Sequence, residues 1–242
     1  MDLRSLPQPV TILETMGRSV GWIAAASAAA KQNDEDAPHL VYIPEVAFEI
    51  EDFIGAVERT VTRHGWGVVV VSEGIRDSAG RPVYQKTSPS QADPLNRPLT
   101  GGVGQYLADE VAARLRIRCR CEKPGLLGRC SMLYVSQQDL EDADIAGRAG
   151  VQGLVSGRSG EMVSLLPLGS DEDVLFEFVK FEEVAGIERS IPAKWLGDKA
   201  DAIPVNRGFL DYVRPLIGDL RDYHPPLASN IQSQGVVEHA KR

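Results

Sequence analysis

The sequence predicts an α/β fold, a doubly wound and mainly parallel sheet, and three observations carry that prediction. Short β-rich runs alternate with helical patterns in the order βαβαβ over the first third of the chain. One run, Gly67-Val68-Val69-Val70-Val71, is continuously apolar, as strands covered on both faces are. The connections between these elements are short, which with right-handed crossovers winds the strands into one sheet.

Val10-Thr11-Ile12-Leu13 is the first β-rich run, and Gly17 to about Lys31 reads as a helix whose alanines allow close packing on a sheet. Leu40-Val41-Tyr42-Ile43 is a strand ended by Pro44, which cannot donate to a ladder. Ile50, Phe53, Ile54, Val57 and Val61 share one helical face, and Glu49, Glu51 and Asp52 occupy the first turn, where the macrodipole favours anions. Gly65 stops that helix, and the valine run follows. From Ile75 to Leu99 the composition shifts to Pro, Ser, Asp, Gln and Asn, so residues 76–99 read as a long loop, mobile unless a ligand or partner orders it. Thr100 is placed to cap a helix carrying Val103, Tyr106, Leu107, Val111 and Leu115. Ile117 to Cys121 is a strand, on which Arg116, Arg118 and Arg120 alternate toward one face. Gln138 to about Leu154 is a helix with an acidic start, and Met162–Leu165 and Val174–Val179 form a hairpin-like pair near the sheet edge. Arg207 to Leu220 is a helix interrupted by Pro215. Residues 1–224 thus form the folded portion and 225–242 a flexible tail.

Composition excludes several functions. A chain of 242 residues buries roughly 70–75% of its unfolded surface, enough for a core without metal or disulfide support. The net charge of -8 argues against nucleic acid or an anionic membrane as partner, so any anionic ligand is held by a few local arginines. No run is long and apolar enough to span a bilayer, and the expected location is cytoplasmic. Cys119, Cys121 and Cys130 are odd in number, and His39, His64, His224 and His239 lie far from them, so the cysteines read as small buried hydrophobes in a reducing compartment rather than as metal ligands or a disulfide framework.

Three polar features fall at strand ends, where open α/β sheets bind ligands. Met16-Gly17-Arg18 follows the first strand and, at the predicted helix N-terminus, would offer outward N–H groups beside a guanidinium, a phosphate-handling arrangement. Ser72-Glu73-Gly74 follows the valine run. Gly125 to Arg129 follows the Ile117 strand. Each has a bland reading: Glu73 as a solvated turn carboxylate, Arg18 paired with Glu14, Arg129 paired with Glu122. Taken together on one rim, two guanidinium groups and a carboxylate suit a phosphorylated polyol, the arginines taking the phosphate and the acid accepting from hydroxyls.

These residues carry a resemblance. Glu14-x-Met16-Gly17-Arg18-x-x-Gly21-Trp22-Ile23-Ala24, Tyr42-Ile43-Pro44-Glu45, Val68 through Gly74, Gly101 through Glu110, Pro124-Gly125-x-x-x-Arg129, Ala146-Gly147-Arg148 and Ile191-Pro192-x-x-Trp195 resemble, in order, the carboxy-terminal half of a phosphofructokinase, in particular the pyrophosphate-dependent and related bacterial members. The resemblance runs from about residue 9 to about residue 217. It implies transfer of a phosphoryl group from pyrophosphate or ATP to the 1-hydroxyl of fructose 6-phosphate in glycolysis. Met16 and Gly17 would contact the sugar phosphate, with Arg18 the catalytic residue that stabilises the phosphoryl group in flight. Glu73 would bind sugar hydroxyls and Arg129 the 6-phosphate, while Arg120 matches an arginine that some members lend to a neighbouring subunit. Leu126 departs from the family, which has His or Tyr there, a lost contact worth about 1–2 kcal/mol.

The larger departure is the donor side. Residues 1–242 contain no Gly-Gly-Asp loop and no Thr-x-Asp-Asn-Asp loop, so the Mg²⁺ that the family implies would find its ligands outside this chain. The resemblance then implies an acceptor-sugar half with little turnover alone, partnered by a separate donor-binding half or by further copies of itself. Two other readings stand beside it: a non-catalytic sugar-phosphate-binding or regulatory module, and a remnant whose core the missing half would cover.

Overall fold

Alternation along each strand decides the layers. In the computed structural model, which describes residues 8–85, 101–166, 176–198 and 201–218, four strands form a parallel sheet in the order β2-β3-β1-β4. These are β1 (Val10–Thr15), β2 (Leu40–Tyr42), β3 (Gly67–Ser72) and β4 (Cys119–Glu122). Val10 and Ile12 of β1, Leu40 of β2 and Val69 and Val71 of β3 face one side, where they meet Phe53, Ile54 and Val57 of helix α2 (Ile50–His64) and Leu107, Ala108 and Val111 of α3 (Val103–Leu115). Val41, Ile43 and Val70 face the other side, with Leu13 packed against them. There they meet Ala24 and Ala25 of α1 (Trp22–Ala26), Ala28 of the following short 3-10 turn, and Phe209 and Val213 of the last helix. Small alanines let that helix lie close to the sheet, while larger side chains fill the opposite face. The expected wound parallel sheet is present.

A second region follows β4. The short helix α4 (Leu127–Cys130) leads to α5 (Gln137–Val155), then to β5 (Glu161–Leu165) and β6 (Phe176–Lys180), α6 (Phe181–Val184) and finally α7 (Arg207–Ile217). β5 and β6 pair antiparallel as a sheet of their own, not at the edge of the parallel sheet as the sequence suggested. Gly153 of α5 lies under Phe178, where a Cβ would come within 2.8 Å of the ring. The Ser136 hydroxyl donates to the Leu216 carbonyl at 2.6 Å, joining the start of α5 to the end of α7.

Several boundaries differ from the sequence reading, each for a local reason. The first helix begins at Trp22, not Gly17, because residues 16–21 form a turn in which Arg18 has φ 52° and Val20 N donates to Gly17 O at 3.1 Å. Arg116 is the left-handed C-cap of α3 (φ 56°), so the expected stripe of Arg116, Arg118 and Arg120 does not exist on one strand; β4 itself holds only Arg120. α3 is capped by Gly102, and Thr100 lies outside the described residues. Pro215 lies inside α7 without ending it: it removes the one N–H bond back toward residue 211, and the helix ends two residues later at Ile217. Of the expected 76–99 loop, residues 76–85 form a turn whose Asp77 carboxylate accepts from Ala79 N and Arg81 N at 2.9 Å each; residues 86–99, like the tail from 225, lie outside the described residues.

Candidate functional site

The carboxyl ends of β3, β1 and β4 lie side by side, so the turns after them share one rim. After β1, the Met16-Gly17-Arg18 turn folds over the end of β3. Glu73 Oε1 accepts from Gly17 N at 3.2 Å and from Arg18 N at 3.0 Å, and Glu73 N donates to Thr15 O at 3.0 Å. The sequence reading of Gly17 and Arg18 as outward-pointing helix N–H groups is therefore corrected: both are turned inward onto a carboxylate. Glu73 is correspondingly no solvated turn acid. Its Oε1 is committed to backbone donors, and its Oε2 lies beside Gly101. Gly74 makes the crossing possible, since a Cβ there would sit 1.5 Å from the Arg18 carbonyl oxygen.

Under this rim sits a residue that sequence reasoning assigned only as a partner for Arg18. Glu14, its side chain 5% exposed, accepts from Gly102 N at 2.8 Å through Oε1 and from Gly104 N at 2.7 Å through Oε2, and pairs with Lys123 Nζ at 3.0 Å. A buried charge needs such a full set of partners. It ties the end of β1 to the start of α3 and to the residue that begins the loop after β4. A Cβ on Gly101 would meet Glu14 Oε1 at 3.2 Å and Glu73 Oε2 at 3.5 Å, so one glycine separates the two acids. The signal available in the sequence was a lone acid in an apolar strand, followed far along by Gly101-Gly102.

Glu45 does similar work on the far side of the turn. Its Oε1 accepts from Gly21 N and Ile191 N, both at 3.1 Å, while Trp22 Nε1 donates to Arg189 O at 2.6 Å. Trp22 meets Trp195 and Phe209 with ring centres 6.1 and 5.9 Å apart. The separate motifs Gly21-Trp22, Pro44-Glu45 and Ile191 to Trp195 are thus one contact cluster bracing the turn that carries Arg18.

The third part of the rim is more open. Arg129 ends a turn in which Leu127 N donates to Pro124 O at 3.0 Å and Arg129 N to Leu126 O at 2.9 Å; Leu126 and Arg129 are both exposed. Arg129 does not pair with Glu122, whose carboxylate lies 3.7 Å from Arg120 Nη1 instead. Arg120 Nε is buried with no hydrogen-bond partner, an unfilled donor. The structure therefore joins Gly17 and Arg18 directly to Glu73, with Met16 beside them in the chain; Leu126 and Arg129 follow β4, the neighbour of β1, whereas Arg120 lies inside β4 level with Thr11, short of the rim.

The cysteines divide. Cys119 and Cys121 are half-buried against the α2–α3 side, and burial pushes the Cys119 thiol up to about 12; Cys130 is exposed, contrary to expectation. All three are free thiols. The rim acids do not suit a magnesium ion: Glu14 is saturated by N–H groups and an ammonium, and Glu45 and Glu73 each give an oxygen to two backbone donors. Among the described residues no three acidic, His or Cys groups come together as ligands.

The class is an open, parallel α/β sheet covered by helices on both faces, with turns gathered at the carboxyl ends of its strands. The chain belongs to the phosphofructokinase family, whose profile, "Phosphofructokinase", matches residues 2–134. It is 34% identical over 235 residues to the pyrophosphate–fructose 6-phosphate 1-phosphotransferase of Methylococcus capsulatus, covering 95% of this chain and 54% of that protein. It is 33% identical over 167 residues to the sulfofructose kinase of Alkalicoccus urumqiensis, covering 68% of this chain and 42% of that one. The crystal structure of the pyrophosphate-dependent phosphofructokinase from Nitrosospira multiformis superposes with a TM-score of 0.72 at 26% identity, over 93% of this chain and 52% of the other. The chain spans about half the length of the curated relatives it matches.

Proposed function

We propose that this chain forms the acceptor-sugar side of a phosphofructokinase-type transfer, in which pyrophosphate or ATP phosphorylates the 1-hydroxyl of fructose 6-phosphate. The observation that carries the reading is Glu73 gripping the backbone of Gly17 and Arg18, because it fixes an acceptor carboxylate and a guanidinium-bearing turn as one rigid unit. In this reading Glu73 Oε2 accepts from a sugar hydroxyl, Met16 and Gly17 line the sugar, and Arg18 steadies the phosphoryl group as its charge redistributes. Arg129 grips the 6-phosphate from the exposed turn, with Leu126 beside it and the unfilled Arg120 donor within the adjoining strand. The donor-side base and metal ligands lie outside residues 1–242, so turnover requires a donor-binding half. The magnesium the family implies would belong to that half. A glycolytic, cytoplasmic setting follows from the same reading.

A second reading, sugar-phosphate binding without transfer, is favoured by the donor side, since residues 1–242 hold no Gly-Gly-Asp loop.

Calorimetric titration tests the site without needing turnover. Fructose 6-phosphate binds at millimolar affinity or tighter, fructose binds more weakly, and Arg129→Ala weakens the phosphorylated sugar by about 1.5–3 kcal/mol, the worth of a hydrogen bond to a charged group. The sulfofructose kinase among the relatives makes the anion on the sugar the natural feature to vary in a second titration. No detectable binding of fructose 6-phosphate at millimolar concentration overturns the proposal. A coupled assay with the sugar, Mg²⁺, each donor and a separately supplied donor-binding half of a phosphofructokinase then separates the two readings: turnover lost in Arg18→Ala supports transfer, and none with that half present supports binding alone.

A further inference from the structure

Glu14 and Lys123 form an ion pair with one end sealed and the other open. The Glu14 side chain is 5% exposed and that of Lys123 42%, with Nζ 3.0 Å from Oε1. The acid does not depend on the ammonium alone. Gly102 N lies 2.8 Å from Oε1 and 3.1 Å from Oε2, and Gly104 N lies 2.7 Å from Oε2, both at the start of α3, where the helix end carries partial positive charge. An ammonium has three N–H donors, and Glu14 Oε1 takes one of them. Among the described residues no other carboxylate pairs with Lys123, so two donors remain at the surface for water or a ligand.

The place of that ammonium decides what it can meet. Cys119 and Cys121 of β4 pack on the α2–α3 side, and Lys123, two residues further along the chain, comes to the same side to reach Glu14. Gly101 stands between Glu14 and Glu73: a Cβ on it would lie 3.2 Å from Glu14 Oε1 and 3.5 Å from Glu73 Oε2. Glu73 in turn holds Gly17 N and Arg18 N through Oε1. Lys123, Glu14, Gly101, Glu73 and the Arg18 turn thus follow one another across the rim. The same lysine immediately precedes Pro124, whose carbonyl opens the turn that ends at Arg129. One cation therefore adjoins both the Arg18 side and the Arg129 side.

Charge gives that cation a task. Glu14 and Glu73 are two carboxylates one glycine apart, and a phosphate approaching them is repelled unless positive charge stands with it. Leu126 and Leu127, 69% and 75% exposed, bring no side-chain donor to the turn. An ammonium on a flexible stem is a compact charge that can be shared between an internal carboxylate and a phosphate oxygen. We propose that Lys123 is a phosphate-binding residue of the acceptor site, its ammonium held by Glu14 on one side and donating to the phosphate of the bound sugar on the other. The inference rests on the acceptor-sugar reading above.

Calorimetric titration of fructose 6-phosphate into the full chain and three variants tests this. Lys123→Met weakens binding at least about tenfold, the loss of one hydrogen bond to a charged group, while Lys123→Arg, which keeps the charge, stays within about threefold of wild type. Removing the cation also takes a partner from Glu14, so the double substitution Glu14→Gln with Lys123→Met separates binding from support. There the glutamine carbonyl, in the place of Oε2, still accepts from Gly102 N and Gly104 N, and no buried charge is left behind. The double variant keeps the circular dichroism of wild type and a cooperative melt, and binds fructose 6-phosphate as weakly as Lys123→Met. Recovery of wild-type affinity in the double variant overturns the proposal, because the lysine then serves only to neutralise Glu14. Undiminished binding by Lys123→Met overturns it as well. Both results leave the acceptor-sugar reading standing, whereas a wild-type chain that binds no fructose 6-phosphate removes that reading and the inference with it.

Discussion

Helices α2 and α5 are built on the same principle and meet different fates. Both carry an apolar stripe at helical spacing, but Phe53, Ile54 and Val57 of α2 are sealed against the sheet, whereas Val151 and Leu154 of α5 stand in water. The difference lies in what each helix crosses. α2 joins two parallel strands of one sheet and must lie on its face, while α5 follows the last strand of that sheet and packs on a two-stranded pair and the end of α7, which leave one of its faces bare. A stripe in a sequence therefore establishes that a face will be buried somewhere, and leaves open by what.

Substitutions in the two helices put the contrast at its largest. Phe53→Ala removes a fully buried ring from the α2 face and lowers unfolding stability by about 3–5 kcal/mol in urea denaturation. Stability within about 1 kcal/mol of wild type would mean that the core is not sealed as described. Next comes the anchor beneath the rim. Glu14→Gln keeps the shape but turns an amide N–H toward Gly104 N or Lys123, costing about 2–3 kcal/mol and loosening the turns on either side, read as lost stability together with weaker fructose 6-phosphate binding.

The thiols sharpen the same comparison through pH. Burial holds the Cys119 thiol protonated in the folded chain, with its value raised to about 12, so its contribution to stability is present below the unfolded thiol value of about 8.5 and fades as pH rises toward 12. Alkylation near pH 8.5, followed by peptide mass mapping, labels the exposed Cys130 quickly and Cys119 only on unfolding. Equal rates would show that β4 is as open as the loop that follows it. The smallest effect belongs to α5: Leu154→Ala changes the unfolding free energy of the monomer by no more than about 0.5 kcal/mol, because little surface is buried there to lose.

The turns at the strand ends could be read along the chain, although their wiring could not. Gly17, Arg18 and Glu73 were visible as turn residues at strand ends, because a strand pattern followed by Gly or a charge marks where a parallel sheet presents its loops. That Glu73 holds the backbone of Arg18 was not visible, since it depends on β1 and β3 being neighbours, a pairing of residues more than fifty positions apart. Glu14 was misassigned for the same reason. Its nearest cation in sequence is Arg18, but the parallel pairing of β1 with β4 brings Lys123 to it.

The alternation of apolar residues, the valine run and the turn glycines determined by themselves that this chain folds as a wound α/β sheet, because burial and backbone sterics act on local sequence. Only the tertiary structure decided which acids are spent on backbone donors, which arginine-bearing turns lie at the surface and which helix face stays bare. Those outcomes depend on which distant segments share a boundary with water, and periodicity carries no information about that.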